Sequence, residues 1–146
     1  MKDSHADTPA VPGRLVALPV NADPRGCLSF LQEGGPKGAV PIDIRRDYWV
    51  YDIRGEHMIP GRAVPGCEEM LVALNGSCRV ALDAGRGGVS SYRLTRPGTA
   101  LVIPGGTWRE IDELSTNAVL LVLASSPYEP GNVIRDYSEY LKTKGA

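Results

Sequence analysis

Apolar and polar residues alternate in short runs along most of this chain, which is typical of β-strands rather than helices. The clearest run covers residues 42–52. One face of that strand would carry Ile42, Ile44, Arg46, Tyr48 and Val50, and the other Asp43, Arg45, Asp47, Trp49 and Tyr51. Because both faces mix polar with apolar groups, the segment suits a barrel wall with a polar cavity inside and another layer or subunit outside.

Turn-forming residues separate the apolar runs about every 8 to 12 residues. We predict strands over 14–20, 27–31, 42–52, 69–74, 77–82, 89–94, 99–103, 108–112 and 118–124, and a short helix over 136–144. Asn75-Gly76 predicts a two-residue hairpin, and residues 54–66 are predicted to be a loop. This spacing predicts an all-β fold, a small antiparallel barrel or sandwich, with a short C-terminal helix.

Composition supports one such domain. Glycine (17) and proline (12) make up about a fifth of the 146 residues, which argues against a helical bundle. We predict a disordered N-terminal tail over 1–13 and a single domain over 14–146. A net charge of -1 without a basic stripe argues against a nucleic-acid partner.

Apolar runs also limit where the protein acts. The longest one, Ala118 to Ala124, is too short to span a membrane, and the N-terminal residues lack an apolar signal core. We therefore expect no membrane partner and a cytoplasmic protein.

Cysteine and histidine restrict the possible chemistry further. The cysteines, Cys27, Cys67 and Cys78, form no C-x-x-C pair, so buried or half-buried free thiols are expected. The only histidines are His5, in the polar N-terminal segment, and His57, in the predicted loop. A mechanism that needs two imidazoles in one pocket is therefore difficult to build.

Two spacings follow the cupin pattern, G-x5-H-x-H-x(3,4)-E-x6-G and later G-x5-P-x-G-x2-H-x3-N. Gly98, Pro104 and Gly106 keep the second motif's frame, with Arg109 in its histidine position. In the first motif Glu69 keeps its spacing to Gly76, whereas Arg62-Ala63-Val64 occupies H-x-H. The scaffold positions match and the metal-ligand positions do not, which predicts a cupin barrel, the double-stranded β-helix or jelly roll, without a metal.

Several blocks over residues 23–140 also match a narrower family. They are Asp23-x-Arg25-Gly26, Ile44-Arg45-Arg46-x-Tyr48, Leu74-Asn75-Gly76-Ser77-Cys78-Arg79-Val80, Trp108-x-Glu110, Val122-Leu123-Ala124-Ser125, Tyr128 and Ile134-Arg135-Asp136-Tyr137. In these blocks the chain resembles the nucleotide-sugar 3,4-ketoisomerases, or WxcM-like cupins. The resemblance implies a homodimer, which would also cover the outward-facing Trp49 and Tyr51.

The same resemblance shows which family side chains this sequence lacks. Members share a segment R-G-x-H-A-H-K, whose histidines are thought to move protons between sugar carbons of a thymidine-diphosphate 4-keto-6-deoxyhexose. Here those histidines are replaced by Arg62 and Val64, and a third, in W-H-E, by Arg109. Arginine stays protonated and valine has no proton to give, so the inherited histidine mechanism is predicted to be absent.

Other side chains remain as candidates for the site. We predict catalytic roles for Tyr48 and Glu69, and substrate binding by Arg46, Arg62, Arg109, Trp108 and Glu110. Arg62 and Arg109 could clamp an anionic oxygen, or one of them could pair with Glu69. Nearby arginines would lower the pKa of Glu69 and so weaken it as a base. Trp108 could pack in the core instead of binding substrate. His57 has no assigned role.

These residues leave several functions open. The favoured hypothesis is a diverged, metal-independent cupin enzyme, of isomerase, cyclase or dehydratase type, acting on an anionic or carbonyl-bearing metabolite in a biosynthetic pathway. The second is a dTDP-4-keto-6-deoxyhexose 3,4-ketoisomerase whose acid and base are not histidines. The third is a non-catalytic ligand-binding cupin. None of the three is expected to need a cofactor, and all predict a small anionic ligand.

Overall fold

A computed structural model describes residues 12–32, 40–54 and 58–145. Most of the predicted tail, and His57, lie outside these ranges. The described strands are β1 (Arg14–Ala17), β2 (Val20–Asp23), β3 (Gly26–Ser29), β4 (Arg46–Val50), β5 (Ile59–Arg62), β6 (Glu69–Asn75), β7 (Cys78–Asp83), β8 (Val89–Leu94), β9 (Thr99–Ile103), β10 (Trp108–Asp112) and β11 (Val119–Ala124). A 3-10 turn, Pro130–Asn132, precedes the helix α1 (Tyr137–Thr143).

Two antiparallel sheets form the body of the domain. One has the strand order β1-β9-β6-β11-β4 and the other β5-β10-β7-β8, while β2 and β3 pair with each other as a separate hairpin. From β6 onward the chain crosses repeatedly between the two sheets, as in a jelly roll. The predicted all-β cupin architecture with a short C-terminal helix is therefore confirmed.

Apolar side chains pack on both faces of β6, so its sequence is almost continuously apolar rather than alternating. Leu71 and Ala73 face the core between the sheets. Met70 and Val72 face outward, where the residues around Ile42 cover them. The buried polar residues Glu69 and Arg109 lie beside this core, at the starts of β6 and β10.

The turn at Asn75-Gly76 differs from the predicted hairpin. The strands it joins, β6 and β7, lie in different sheets and do not pair with each other. Its polar groups bond to a distant segment instead, because Asn75 donates to the carbonyl of Asn117 and the Ser77 amide donates to Ser115 Oγ. Gly76 has φ +72° and lies against Ser115, so the turn suits glycine but forms a corner between sheets.

Apart from shifts of one or two residues at other element ends, three predicted elements differ from the structure. The predicted strand over 14–20 is divided, since β1 ends at Ala17 and Val20 begins the β2–β3 hairpin. The strand predicted over 42–52 contains only β4, because residues 40–44 cover the outer apolar cluster. The predicted loop over 54–66 contains β5, an edge strand that pairs irregularly with β10 and therefore tolerates Pro60.

The C-terminal helix is fixed to the second sheet. Asp136 caps it by accepting a hydrogen bond from the Glu139 amide at 3.1 Å. Its Tyr140 is buried against Trp108 and Ala63.

In the ranges that the structure covers, no helix is long and apolar enough to cross a membrane. All three cysteines are free thiols. Cys67 and Cys78 are buried, as predicted, whereas Cys27 is exposed, contrary to the prediction.

Candidate active site

Four polar side chains from different strands meet inside the barrel. Tyr48 comes from β4, Arg62 from the end of β5, Glu69 from the start of β6 and Arg109 from β10. Sheet pairing brings them together, because Arg62 lies opposite Arg109 and because β4 and β6 flank the two edges of β11. We call these four residues the central cluster.

The central cluster is built around a buried ion pair. Arg109 Nε donates to Glu69 Oε1 at 2.8 Å, and each residue is only 4% exposed. Burial alone would raise the pKa of Glu69, but Arg109, Arg62 and Arg46 together hold it below its ordinary value. Burial opposes the charge on Arg109 as well, yet Glu69 keeps the pKa of Arg109 raised. Both groups are therefore charged at neutral pH.

Tyr48 connects the remaining members of the cluster. Its hydroxyl donates to Glu69 Oε2 at 3.4 Å and accepts a hydrogen bond from Arg109 Nη2 at 3.1 Å. Arg62 Nη2 also donates to the Tyr48 hydroxyl, and to Glu69 Oε2 at 3.0 Å. One hydroxyl thus lies between a carboxylate that can accept its proton and two guanidinium groups.

Arg46 lies beside the cluster and contacts two tyrosine rings. Its guanidinium carbon is 5.3 Å from the centre of the Tyr48 ring and 5.4 Å from that of Tyr128. The arginine therefore makes cation–π contacts with both rings. The predicted placement of Arg46 and Tyr48 on one face of β4 is confirmed by the alternating burial of that strand.

A cavity of about 160 Å³ opens onto the cluster. Tyr48, Arg62 and Arg109 contribute its polar wall, and Ile111 and Val122 belong to its apolar wall. Arg135 also lines it, although the sequence pattern had named this residue only as part of a family-like block and not as a site residue. The signal that places Arg135 there is a long-range β-bridge between Ala63 and Ile134, which cannot be read from local pattern.

Two larger depressions lie elsewhere. One of about 450 Å³ is lined by Trp49 and Tyr51, and another of about 370 Å³ by Phe30 and Leu31. Neither is lined by a member of the central cluster. We therefore place the candidate active site at the smaller cavity, where the ionisable groups converge.

Trp108 and Glu110 do not line this cavity, and their role in substrate binding stays a prediction. Successive residues of a strand point to opposite faces, so both lie on the face of β10 away from Arg109. Trp108 is 6% exposed and packs at 5.6 Å and 5.3 Å, between ring centres, against Tyr140 and Tyr137. Its indole N–H donates to Glu110 at 3.4 Å. Trp108 is therefore a packing residue beneath the helix.

The cluster does not fit the divalent metal that the cupin fold commonly holds. Within the described ranges, no group of three or more His, Cys, Asp or Glu side chains is placed to bind a metal ion. In the central cluster the single carboxylate, Glu69, has both oxygens bonded to guanidinium groups. Two cations beside one ligand would repel a third.

The paired sheets and their polar interior define a cupin-barrel protein. Residues 13–145 match the family described as FdtA, WxcM-like, C-terminal, and the chain belongs to that family. It is an enzyme of the isomerase type. The family resemblance predicted from the sequence is confirmed.

Characterised relatives agree with this assignment. The chain is 35% identical over 120 residues to TDP-4-oxo-6-deoxy-alpha-D-glucose-3,4-oxoisomerase of Aneurinibacillus thermoaerophilus, covering 82% of this chain and 84% of the relative. Its fold is similar to that of a 3,4-ketoisomerase from Helicobacter canadensis, with a TM-score of 0.84, 34% identity and coverage of 92% and 98% of the two chains. The WlaRB TDP-quinovose 3,4-ketoisomerase from Campylobacter jejuni has a TM-score of 0.81, 33% identity and coverage of 89% and 97%.

Proposed function

We propose that this enzyme moves a carbonyl group between neighbouring carbons of a keto-sugar linked to thymidine diphosphate, with Tyr48 and Glu69 in place of histidines. The observation that carries the proposal is the hydrogen-bonded central cluster. It joins a hydroxyl, a carboxylate and two guanidinium groups at the wall of one cavity. These are an acid/base pair and the donors for a developing oxyanion.

Tyr48 and Glu69 form the proton-transfer pair in this proposal. As the Tyr48 oxygen takes the proton from the carbon next to the carbonyl, its own hydroxyl proton passes to Glu69 over the existing hydrogen bond. The C–H electron pair becomes the double bond of an enediolate. The proton then returns to the carbon that carried the carbonyl, and the hydroxyl proton moves from one sugar oxygen to the other. The carbonyl is now on the neighbouring carbon, and no net oxidation has occurred. The lowered pKa of Glu69 makes it a weak final base, so the proton resides on it only briefly.

Arg62 and Arg109 stabilise the enediolate. Both line the cavity and both already direct Nη2 at the Tyr48 oxygen. Guanidinium donors that are fixed before the reaction do not have to reorient as negative charge develops on the substrate. Such preorganised donors are the usual source of oxyanion stabilisation. Glu69 orients them, because it bonds to each.

The charge of the site supports an anionic substrate. Arg46, Arg62 and Arg109 surround a single carboxylate, and Arg135 adds a fourth guanidinium at the cavity. Arginine is suited to the diphosphate of a nucleotide-sugar. The TDP-sugar names of the two characterised relatives are the basis for the nucleotide and the keto-sugar. The donor set that does not fit a divalent cation supports a metal-independent reaction.

One observation favours a second substrate class, another anionic metabolite with a carbonyl group. Arg62 and Val64 stand where the resemblance places the family's two histidines, and Arg62 lines the cavity. A substrate smaller than a nucleotide-sugar would suit the remaining space of about 160 Å³. This alternative keeps the same proton-transfer pair.

We also propose that the enzyme works as a homodimer. Trp49 and Tyr51 are 58% and 59% exposed. The β2–β3 hairpin is exposed along both strands and pairs with no other described strand, and an isolated hairpin is only marginally stable. Light scattering should give twice the mass of the chain, and Trp49→Lys should shift it toward the monomer. A monomeric wild type would refute this proposal.

A thermal-shift measurement separates the two substrate classes. Thymidine diphosphate should raise the melting temperature of the wild type in a saturable way, whereas Arg135→Gln should weaken this effect. The matched control is Arg96→Gln, which removes an exposed guanidinium that does not line the cavity and should behave like wild type. No shift at millimolar nucleotide would contradict the nucleotide-sugar substrate and leave the smaller metabolite.

A further inference from the structure

Two tyrosine rings orient the guanidinium group of Arg46 beside the central cluster. Its carbon lies 5.3 Å from the centre of the Tyr48 ring and 5.4 Å from that of Tyr128. Within the described ranges the Arg46 side chain makes no hydrogen bond or ion pair, and its Nε is buried. The position of this positive charge therefore depends on the two rings.

Tyr128 belongs to the connecting segment, residues 125–135 between β11 and α1. At the start of this segment the Ser125 amide donates to the Glu68 carbonyl at 2.9 Å, and the Glu68 amide donates to Ser125 Oγ at 2.8 Å. Near its end, a β-bridge joins the segment to the residue that follows Arg62. The segment is thus fixed at both ends to chain that adjoins the central cluster, and this places the Tyr128 ring.

Arg46 acts on the central cluster through its charge. Burial raises the pKa of Glu69, but Arg109, Arg62 and Arg46 together lower it. The guanidinium groups of Arg46 and Arg62 also lie over the ring of Tyr48, at 5.3 Å and 5.9 Å from its centre. The face of a tyrosine ring attracts a cation, and the attraction grows as the ring oxygen becomes negative.

We propose that Tyr128 is a positioning residue for proton transfer at Tyr48. Its ring keeps the Arg46 guanidinium over the ring of Tyr48. There the positive charge stabilises the negative charge that Tyr48 gains as its hydroxyl proton moves to Glu69. That negative charge disappears when the proton from the substrate carbon reaches the Tyr48 oxygen. The effect on catalysis rests on the proposed function, whereas the position of Arg46 does not.

The location of Arg46 determines the kinetic signature of this role. Arg46 does not line the cavity of about 160 Å³ that opens onto the cluster. A charge that acts through the Tyr48 ring stabilises the transition state and not the bound substrate. Its loss should therefore lower kcat and leave KM unchanged.

Two substitutions at residue 128 provide the kinetic test. Tyr128→Leu removes the ring, so kcat should fall about two- to fivefold, as expected for an exposed cation–π contact. Tyr128→Phe keeps the ring and should retain the wild-type rate, because the Tyr128 hydroxyl makes no hydrogen bond to a described residue. The side chain is 55% exposed, so both variants should fold, and melting curves would check this. A rise in KM for Tyr128→Leu, or equal rates for the two variants, would overturn the proposal.

A double-mutant cycle shows whether Tyr128 acts through Arg46. Arg46→Gln should lower kcat at least as much as Tyr128→Leu does. Adding Tyr128→Leu to Arg46→Gln should cause no further loss, because the guanidinium group that the ring positions is already absent. Additive losses would mean that Tyr128 acts independently of Arg46 and would also overturn the proposal.

An NMR measurement without substrate separates a failure of this inference from a failure of the proposed function. The buried Nε–H of Arg46 should give a signal that is shifted by the two tyrosine rings and exchanges slowly with water. It should persist in Tyr128→Phe and move or broaden in Tyr128→Leu. A wild type that is inactive on the keto-sugar would refute the proposed function and, with it, the effect on kcat. An unchanged signal in Tyr128→Leu would overturn the positioning role whether or not the enzyme is active.

Discussion

Arg109 and Glu69 come from strands in opposite sheets, and their side chains form a buried ion pair with an Nε–Oε1 distance of 2.8 Å. The pair has two consequences. It keeps Glu69 ionised inside the barrel, and it leaves the second carboxylate oxygen free to bond with Arg62 and Tyr48. The polar interior is thus a single connected network, and its members should respond together to substitution.

Tyr48→Phe tests the catalytic hydroxyl. It removes the only group through which Glu69 reaches the substrate in the proposed reaction, so kcat should fall by about 10²- to 10⁴-fold. The protein should stay folded, since the lost hydrogen bonds are worth about 1–3 kcal/mol. Steady-state kinetics with melting curves would measure both effects.

Tyr92→Phe is its matched control. The Tyr92 hydroxyl bonds to the carbonyls of Pro12 and Gly13, away from the central cluster. This variant should lose some stability and keep full turnover. Equal rates for Tyr48→Phe and wild type would show that Tyr48 is not the acid/base group.

Glu69→Gln tests the ion pair as a structural element. Arg109 would remain buried without its counter-ion, which typically costs about 3–5 kcal/mol of unfolding free energy. Asp112→Asn is the comparison, because Asp112 pairs with Arg79 where both side chains are partly exposed, at 31% and 41%. That change should cost no more than about 1 kcal/mol. Chemical denaturation of both variants would reveal the difference, and similar losses would argue against a tightly buried pair.

The pKa of Glu69 predicts an acid dependence of stability. Because it is lower in the folded chain than its ordinary value of 4.5, the stabilisation from the carboxylate is complete above that pH. It is lost as pH falls through the lower, folded value. The unfolding free energy of the wild type should therefore decrease below about pH 4.5 more steeply than that of Glu69→Gln. Denaturant titrations at several pH values measure this, and parallel curves would contradict the lowered pKa.

Trp108→Phe separates packing from substrate binding. The indole packs against Tyr137 and Tyr140, so its replacement should reduce the unfolding free energy by about 1–3 kcal/mol. KM should not change, because the side chain lies on the opposite face of β10 from Arg109. An increase in KM without a loss of stability would instead support the predicted role of Trp108 in substrate binding.

Local pattern predicted the strands well where alternation and turns agree. Strands β8, β9 and β10 begin and end at the predicted residues. It failed at β5, where Ile59-Pro60-Gly61-Arg62 has the composition of a loop and becomes a strand only by pairing with β10. It also failed at Asn75-Gly76, since a turn signal does not say whether the strands it joins will pair.

The candidate site was partly predictable for similar reasons. Motif spacing and alternation identified Arg46, Tyr48, Arg62, Glu69 and Arg109, all of which lie in or beside the central cluster. Alternation within the predicted strand 108–112 already puts Trp108 on the opposite face from Arg109, and this signal could have separated the two residues. The place of Arg135 depends on a bridge between residues 71 positions apart in the chain.

The most direct test of the proposed reaction is proton NMR of the purified enzyme with TDP-4-oxo-6-deoxyglucose in D₂O, in the presence of a strong chelator. We predict that the wild type forms the isomer with the carbonyl on the neighbouring carbon, and that Tyr48→Phe does not. Turnover that requires added metal, or an unchanged substrate spectrum with the wild type, would contradict a metal-independent keto-sugar isomerase based on Tyr48 and Glu69.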